Sequence, residues 1–438
     1  MTNLNHAPTT ITPTRTAESL FKVIIRFAFL LSIKLVLGTK AFTIQRKSWD
    51  FRGHQIGYEE ATRVHNDAEE SITTSIIEDH STPILLLNGF GVGSFHQHRL
   101  FPKLIQIDKN DDDNYDATTS SDDRLMETTR KVYGIDYLGQ GRSWPVDCDD
   151  GNSLNEKGLI YSIDTWADQI IQFIEEIILT DSNANTNANT NTKVHLIGNS
   201  VGGYLAVVLA VKRPDLIGSI CLLNATPVWG LDLKGWSGHL PPPYIPRKIG
   251  RYLFDRIRDP NIIQKYLETA YANKAAFDDT LVNQIRACTE GRGGHAAFAS
   301  ILFSPPATFT TEDPKDFYKK LAKLECDVLL LFGKEDPWCT PAFAKRMFQS
   351  LQSRNRDSVH RYIELENVGH CPNHEAPGAV GQITSRWVNS QDRRKDHLQL
   401  LDGDRLVIEE PWGTVTANEI DESDVYLTIM ERLITTFV

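Results

Sequence analysis

The feature that most restricts how this chain can fold is Val194-His195-Leu196-Ile197-Gly198-Asn199-Ser200-Val201-Gly202-Gly203-Tyr204. A short apolar run of strand character enters Gly-x-Ser-x-Gly and leaves into a helix-forming run that reaches Leu209. A serine on such a strand–turn–helix is held clear of the sheet, where its hydroxyl can attack a carbonyl carbon. Gly198 and Gly202 let strand and helix approach closely and tolerate the strain that the turn imposes on Ser200. A bare Gly-x-Ser-x-Gly recurs by chance in long chains, so the reading of Ser200 as a nucleophile depends on partners elsewhere.

Those partners follow in order. The apolar run Asp327 to Phe332 empties into Gly333-Lys334-Glu335-Asp336-Pro337-Trp338, and a last strand, His360 to Leu365, leads to Val368-Gly369-His370-Cys371-Pro372. Ser200, Asp336 and His370 each lie on the loop after a strand. This order and placement match the α/β-hydrolase arrangement and differ from both serine-protease orders. Asp336 is expected to orient the imidazole, and His370 to deprotonate Ser200 and later protonate the leaving group. Upstream, Ile84 to Leu87 is a buried strand emptying into Asn88-Gly89-Phe90-Gly91-Val92-Gly93. The main-chain N–H of Phe90, with that of Val201 just after the nucleophile, is the expected oxyanion hole.

At 438 residues the chain has room for a large α/β domain with additions. A net charge of −11 without a basic stripe argues against nucleic acid as a partner. Six scattered cysteines without Cys-x-x-Cys spacing suggest neither a disulfide scaffold nor a zinc site, and serine acyl transfer needs no metal and no organic cofactor. Cys339 and Cys371, close to Asp336 and His370 in sequence, are expected to be free thiols. The oligomeric state is open.

The expected layout is a fold of class α/β, a mostly parallel sheet flanked by helices with an inserted helical cap. Residues 48–228 form the first part of the core, 229–316 the cap, 317–390 the second part and 391–438 a C-terminal extension. The core opens with an antiparallel hairpin between Trp49 and Ile77, and Val132 to Asp136 and Ser219 to Leu223 are further strands. Asp164 is read as the cap of a helix burying Trp166, Ile170, Phe173, Ile174 and Ile177. Lys109 to Thr129 is an acidic insertion and Asp181 to Lys193 a low-complexity Asn/Thr tract. Trp229 and Phe298, aromatics of the cap, are the expected substrate contacts. The extension is read as a docked hairpin, Leu406 to Glu409 with Thr414 to Thr416. A helix capped by Asp421 follows, with Val425, Ile429, Met430 and Leu433 inward.

Residues 1–47 differ from the rest. Acidic residues are nearly absent, and Val23 to Leu37 is apolar but interrupted by Arg26 and Lys34. The run is short for a membrane span and reads as a signal-peptide core, with Thr39-Lys40-Ala41 as a small-residue cleavage site. Phe42 then comes first, followed by the basic pair Arg46 and Lys47. This resembles the two-part presequences of algae with secondary plastids, and implies a plastid location. A retained signal anchor, in the endoplasmic reticulum or another membrane, is the alternative.

The assembled motifs resemble the pheophytinases of plants and algae, one branch of the α/β hydrolases. The resemblance is carried by Gly89-Phe90-Gly91-Val92-Gly93-Ser94-Phe95-His96, Ile135-Asp136-Tyr137-Leu138-Gly139-Gln140-Gly141 and Gly198-Asn199-Ser200. It continues in Leu222-Leu223-Asn224-Ala225-Thr226-Pro227, Glu335-Asp336-Pro337-Trp338 and Gly369-His370-Cys371-Pro372. It runs from about Trp49 to Trp387; Asn88, the two insertions and the C-terminal extension depart from the pattern. It implies that Ser200, Asp336 and His370 form the triad. The substrate it implies is the phytyl ester of a chlorophyll-derived tetrapyrrole, met at a thylakoid membrane surface. Rival readings are a C–C bond hydrolase of ring-fission products, which shares the Gly-Asn-Ser elbow, a general lipophilic-ester esterase, and a non-catalytic member of the fold. An epoxide hydrolase or dehalogenase would need Asp where Ser200 stands.

Overall fold

The computed structural model describes residues 42–63, 81–105, 130–144, 160–180, 193–230, 233–236, 239, 243–290, 294–305, 307, 317–354, 358–393, 399–401, 403–428 and 430–432. The expected leader Met1 to Ala41, the acidic insertion and nearly all of the Asn/Thr tract lie outside the described residues. The described residues belong almost wholly to one compact unit, Ile44–Thr62 with Ile72–Val438. Of a second unit, Met1–Thr43 with Arg63–Ser71, only Phe42, Thr43 and Arg63 are described.

Ten strands make one sheet: β1 (Phe42–Phe51), β2 (His54–Arg63), β3 (Ile84–Leu87), β4 (Val132–Ile135), β5 (Val194–Asn199), β6 (Ile217–Leu223), β7 (Asp327–Gly333), β8 (His360–Glu366), β9 (Arg405–Glu410) and β10 (Gly413–Glu419). Their order across the sheet is β1-β2-β4-β3-β5-β6-β7-β8-β10-β9. From β4 to β8 all neighbours run parallel, with β2 antiparallel at one side and the β10–β9 pair antiparallel at the other. β3 and β5 are buried at every position, as the middle of a sheet covered on both faces requires.

β1 and β2 are joined by Arg52-Gly53, whose φ values of 53° and 86° are both left-handed, the requirement of a two-residue hairpin turn of the inverse type. Asp50 Oδ1 accepts the Gly53 N–H at 3.0 Å and fixes that turn. The strand begins at Phe42, so residues 42–47, grouped with the leader on sequence, are part of the sheet. The basic pair there is matched across the hairpin: Arg46 bonds Glu59 at 3.2 Å, and Lys47 pairs with Glu60.

Helix α1 (Ile163–Phe173) is capped by Ser162, whose Oγ accepts the Thr165 N–H at 3.2 Å, and not by Asp164. Asp164 sits in the first turn and takes Lys212 Nζ at 2.6 Å. A π turn, Ile174–Ile178, continues the helix and rotates its end, so Ile178 is buried where Ile177 is only partly covered. Helix α2 (Val201–Lys212) is buried continuously from Val201 to Ala210, the pattern of a helix enclosed on all sides.

Between β6 and β7 stand α3 (Tyr244–Ile257), α4 (Pro260–Ala270), α5 (Asp279–Ala287) and α6 (Gly294–Phe303). α3 and α6 cross so closely that a Cβ on Gly250 would lie 2.3 Å from that of Ala299. Helices α7 (Pro341–Gln352) and α8 (Pro377–Arg393) complete the core. The C-terminal hairpin is longer than expected and docks on the sheet edge: β10 pairs with β8, and Leu406, Val415 and Ala417 are buried. Asp421 caps a 3₁₀ turn, Glu422–Asp424, and helical residues begin only later, at 430–432, where the Arg432 N–H donates to Thr428 O at 2.9 Å. Val425 is buried but Met430 is exposed, while Ile429 and Leu433 lie outside the described residues.

Candidate active site

Ser200 is placed by the collision of two elements. Its backbone, at φ 55° and ψ −119°, is in a region that a residue with a side chain rarely adopts. β5 and α2 hold it there because glycines let them touch. A Cβ on Gly198 would fall 2.4 Å from the carbonyl oxygen of Gly202, and one on Gly202 would fall 2.4 Å from that of Leu87. The turn is secured by Ser200 N–H to Leu223 O (3.0 Å) and by Thr226 N–H to Ser200 O (3.2 Å). Ser200 is itself partly exposed.

Asp336 and His370 meet at the ends of β7 and β8. His370 Nδ1 lies 2.7 Å from Asp336 Oδ2, and both side chains are buried. The carboxylate is held from every side: Oδ2 also accepts Asn224 Nδ2 at 2.8 Å, and Oδ1 accepts the N–H groups of Trp338 (2.8 Å) and Cys339 (3.0 Å). With both oxygens occupied, the carboxylate has one orientation, and the imidazole bonded to it presents Nε2 away from Asp336. The Trp338 ring stands edge-on to the imidazole, centroids 4.9 Å apart, and limits its swing.

Two asparagines, without a role in the sequence reading, tie these parts together. Asn199, next to the serine, donates through Nδ2 to the main-chain carbonyl of His370 at 2.9 Å and to that of Leu223 at 3.1 Å. Asn224, at φ 41° at the end of β6, accepts the Gly333 N–H at 2.8 Å as well as donating to Asp336. Glu375 is a third. Its Oε2 accepts the Gly369 N–H at 2.8 Å and its Oε1 the Asn273 N–H at 2.6 Å, and burial pushes its carboxyl up to about 7. A motif scan finds Asn199 and Asn224 only as members of short strings around the elbow and the end of β6, since each acts across more than a hundred residues.

On the opposite side, the loop after β3 lies against the elbow. A Cβ on Gly89 would be 3.6 Å from Ser200 Cβ and 3.3 Å from Asn199 Oδ1. Gly91 N–H donates to Gln140 Oε1 at 2.6 Å and anchors the loop to the exit of β4. Among the described residues neither the Phe90 nor the Val201 N–H donates to a protein acceptor. The expected aromatic contacts gather here: the Phe90 ring lies 4.8 Å from Trp229 and 5.7 Å from Phe298. A cavity of about 60 Å³ opens beside them, lined by Phe90, Trp144, Phe254, Ile257, Phe298 and Ile301 among others. A larger one, about 360 Å³, lies between α4 and α5, lined by Glu268, Lys274, Phe277, Asp278 and Val282 among others and by none of the predicted site residues.

Asp336, Cys339 and His370 each bring a ligand-type atom within 4.8 Å of the others. Two of those atoms, Nδ1 and Oδ2, already satisfy one another, and burial followed by the nearby Asp336 charge pushes the Cys339 thiol up, against the thiolate a metal would need. The donor set therefore fits a hydrogen-bonded acid–base pair better than a metal centre. Cys339 and Cys371 are both free thiols.

The arrangement defines a class. Residues 84–383 match the model of the alpha/beta hydrolase family, and the chain belongs to that family. It is 27% identical over 338 residues to the chloroplastic pheophytinase of Arabidopsis thaliana, a match covering 70% of this chain and 60% of that protein, so it spans about three fifths of the relative's length. It is 24% identical over 319 residues to a proline iminopeptidase of Lactobacillus crispatus, covering 71% of this chain and 91% of that one. A solved serine hydrolase from Cycloclasticus zankles superposes with a TM-score of 0.51 at 14% identity, over 80% of this chain and 99% of the other. The last likeness bears on the fold alone, which is the α/β-hydrolase fold.

Proposed function

We propose that this α/β hydrolase is a serine carboxylic-ester hydrolase that removes the phytyl chain from pheophytin or a related chlorophyll derivative. The observation that carries the reading is the His370–Asp336 bond of 2.7 Å on the loops after β7 and β8, in a sheet whose β5 ends in the strained Ser200. Ser200 Oγ bonds the ester carbonyl carbon while its proton passes to His370 Nε2, and Asp336 stabilises the imidazolium that forms. The negative charge on the carbonyl oxygen falls to the N–H groups of Phe90 and Val201. The carbon–oxygen bond to phytol then breaks, phytol leaves with the proton from His370, and water repeats the sequence to release the propionate.

The pigment ester is favoured by the similarity to pheophytinase and by the aromatic wall of Phe90, Trp229 and Phe298. Each buried CH₂ is worth about 0.8 kcal/mol, so an isoprenoid tail can be bound by apolar surface with few polar groups. A cavity of about 60 Å³ holds only a small part of such a tail, and the remainder is expected along the cap. Met1 to Ala41 is proposed as a cleaved leader to a plastid; a fluorescent fusion carrying it would mark the plastid, and a cytosolic signal would refute this. The substrate assignment is tested by offering the purified protein pheophytin, a ring-fission dienoate and a prolyl amide in parallel. Phytol release with the other two untouched is expected; turnover of the dienoate or the amide alone would replace it.

A further inference from the structure

Helix α3 carries an outer face that the core does not use. Its inner face is closed by Pro246, Gly250 and Phe254, all buried, with Gly250 against Ala299 and Phe254 in the cavity lining. On the outside, Ile245, Ile249 and Tyr252 are spaced four and three residues apart and form one stripe, exposed by 68, 45 and 65%. Tyr244, 66% exposed, flanks it, with Lys248 Nζ 5.7 Å from its ring centroid. Single exposed apolar residues are ordinary; four on one helix are a surface.

The charge on the helix has the opposite sign to that of the protein. Between Tyr244 and Asp259 five basic residues, Arg247, Lys248, Arg251, Arg256 and Arg258, face two acidic ones, in a chain of net charge −11. Lys248, Arg251 and Arg256 are exposed, and none of the three forms an ion pair among the described residues. Isoleucine and tyrosine amid lysine and arginine is the composition of a helix lying in the headgroup region of a bilayer. Among the described residues no helix is long and apolar enough to cross a membrane, so contact through these residues is peripheral.

We propose that the outer face of α3 docks this protein on an anionic lipid bilayer. The local positive charge selects the anionic surface, and the acidic remainder of the protein is repelled from it, which orients the molecule with α3 down. Because the inner face of the same helix lines the cavity beside Phe90, docking sets that cavity next to the lipid. The proposal does not depend on which ester is cleaved.

The test is flotation of the full chain with phosphatidylcholine vesicles containing about a third phosphatidylglycerol, without substrate. Binding is expected, weakened by salt and absent with pure phosphatidylcholine. K248E/R251E should lower partitioning at least ~30-fold at about one kcal/mol per removed cation, more once the sign is reversed. I249S/Y252S should lower it about tenfold or more through lost apolar contact. Both pairs are on the surface, and turnover of a short water-soluble ester should be unchanged in each, showing that they fold. Absence of binding, or binding that both variants retain, would overturn the proposal. So would a dimer that either variant dissolves, which would assign the face to a second copy of the chain.

Discussion

Asn199 and His370 are joined by a 2.9 Å hydrogen bond from the side-chain Nδ2 of the first to the main-chain carbonyl of the second. The residue beside the proposed nucleophile therefore also holds the loop that carries the proposed base. Asn199→Ala should leave the fold intact while letting that loop drift. A misplacement of about 1 Å can cost ~10²-fold, so a fall of that order in kcat with KM little changed is expected. Unaltered kcat in a folded variant would show that the bond is only structural.

Asp336→Asn tests the other side of the imidazole. The substitution keeps the shape of a side chain that accepts from His370, Asn224, Trp338 and Cys339 but removes its charge. By analogy with reversed tautomers in serine triads, kcat should fall about 10⁴-fold. A loss of tenfold or less would mean that another carboxylate serves His370.

The pairing of His96 with His374 sets a pH limit. Their rings stack at 4.9 Å, and Tyr271 Oη lies 3.0 Å from His96 Nε2 and 3.0 Å from His374 Nδ1. Arg99 Nη1 is 3.2 Å from the same Nδ1. Burial, with Arg99 and His370 nearby, lowers His96 to about 3, and burial, His96 and Arg99 lower His374 further. A lowered histidine binds fewer protons folded than unfolded, so its stabilisation is complete above about pH 6.5 and is lost as pH falls toward 3. For His96 alone the loss is on the order of 4 kcal/mol between pH 7 and pH 3. Urea unfolding at stepped pH should show this slope, and His96→Gln should flatten it; an unchanged slope would contradict the assignment.

The C-terminal hairpin should matter to the core. Trp412 in its turn donates Nε1 to Glu375 O at 2.6 Å, accepts Asn273 Nδ2 at 2.5 Å on its carbonyl, and carries Arg99 4.5 Å above its ring. Since Glu375 holds Gly369, the residue before His370, Trp412→Ala should destabilise by about 3 kcal/mol and lower kcat as well. Thermal unfolding and kinetics on one preparation would check both; a variant with unchanged Tm would show that the hairpin is passive.

How far the sequence alone reaches can be judged residue by residue. The apolar runs of β3, β5, β6 and β7 are legible because a strand buried on both faces leaves little choice of side chain, and the loops after them locate Ser200, Asp336 and His370. Asn199 and Asn224 escape notice because their partners, His370 and Asp336, are brought near only by the closed sheet. Phe42 to Lys47 reads as a leader because its basic residues find Glu59 and Glu60 only after the hairpin folds. The end of α1 is misread by one position, Ile177 for Ile178, because a π turn leaves no mark in a pattern of period 3.6.

The proposed chemistry stands or falls on Ser200 as the nucleophile. The most direct measurement is mass-spectrometric mapping of the protein after exposure to a fluorophosphonate, which phosphonylates an activated serine. One adduct per chain on Ser200 is predicted, absent from Ser200→Ala together with ~10⁶-fold of the esterase rate. An adduct on another residue, or ester hydrolysis that survives in folded Ser200→Ala, would contradict it.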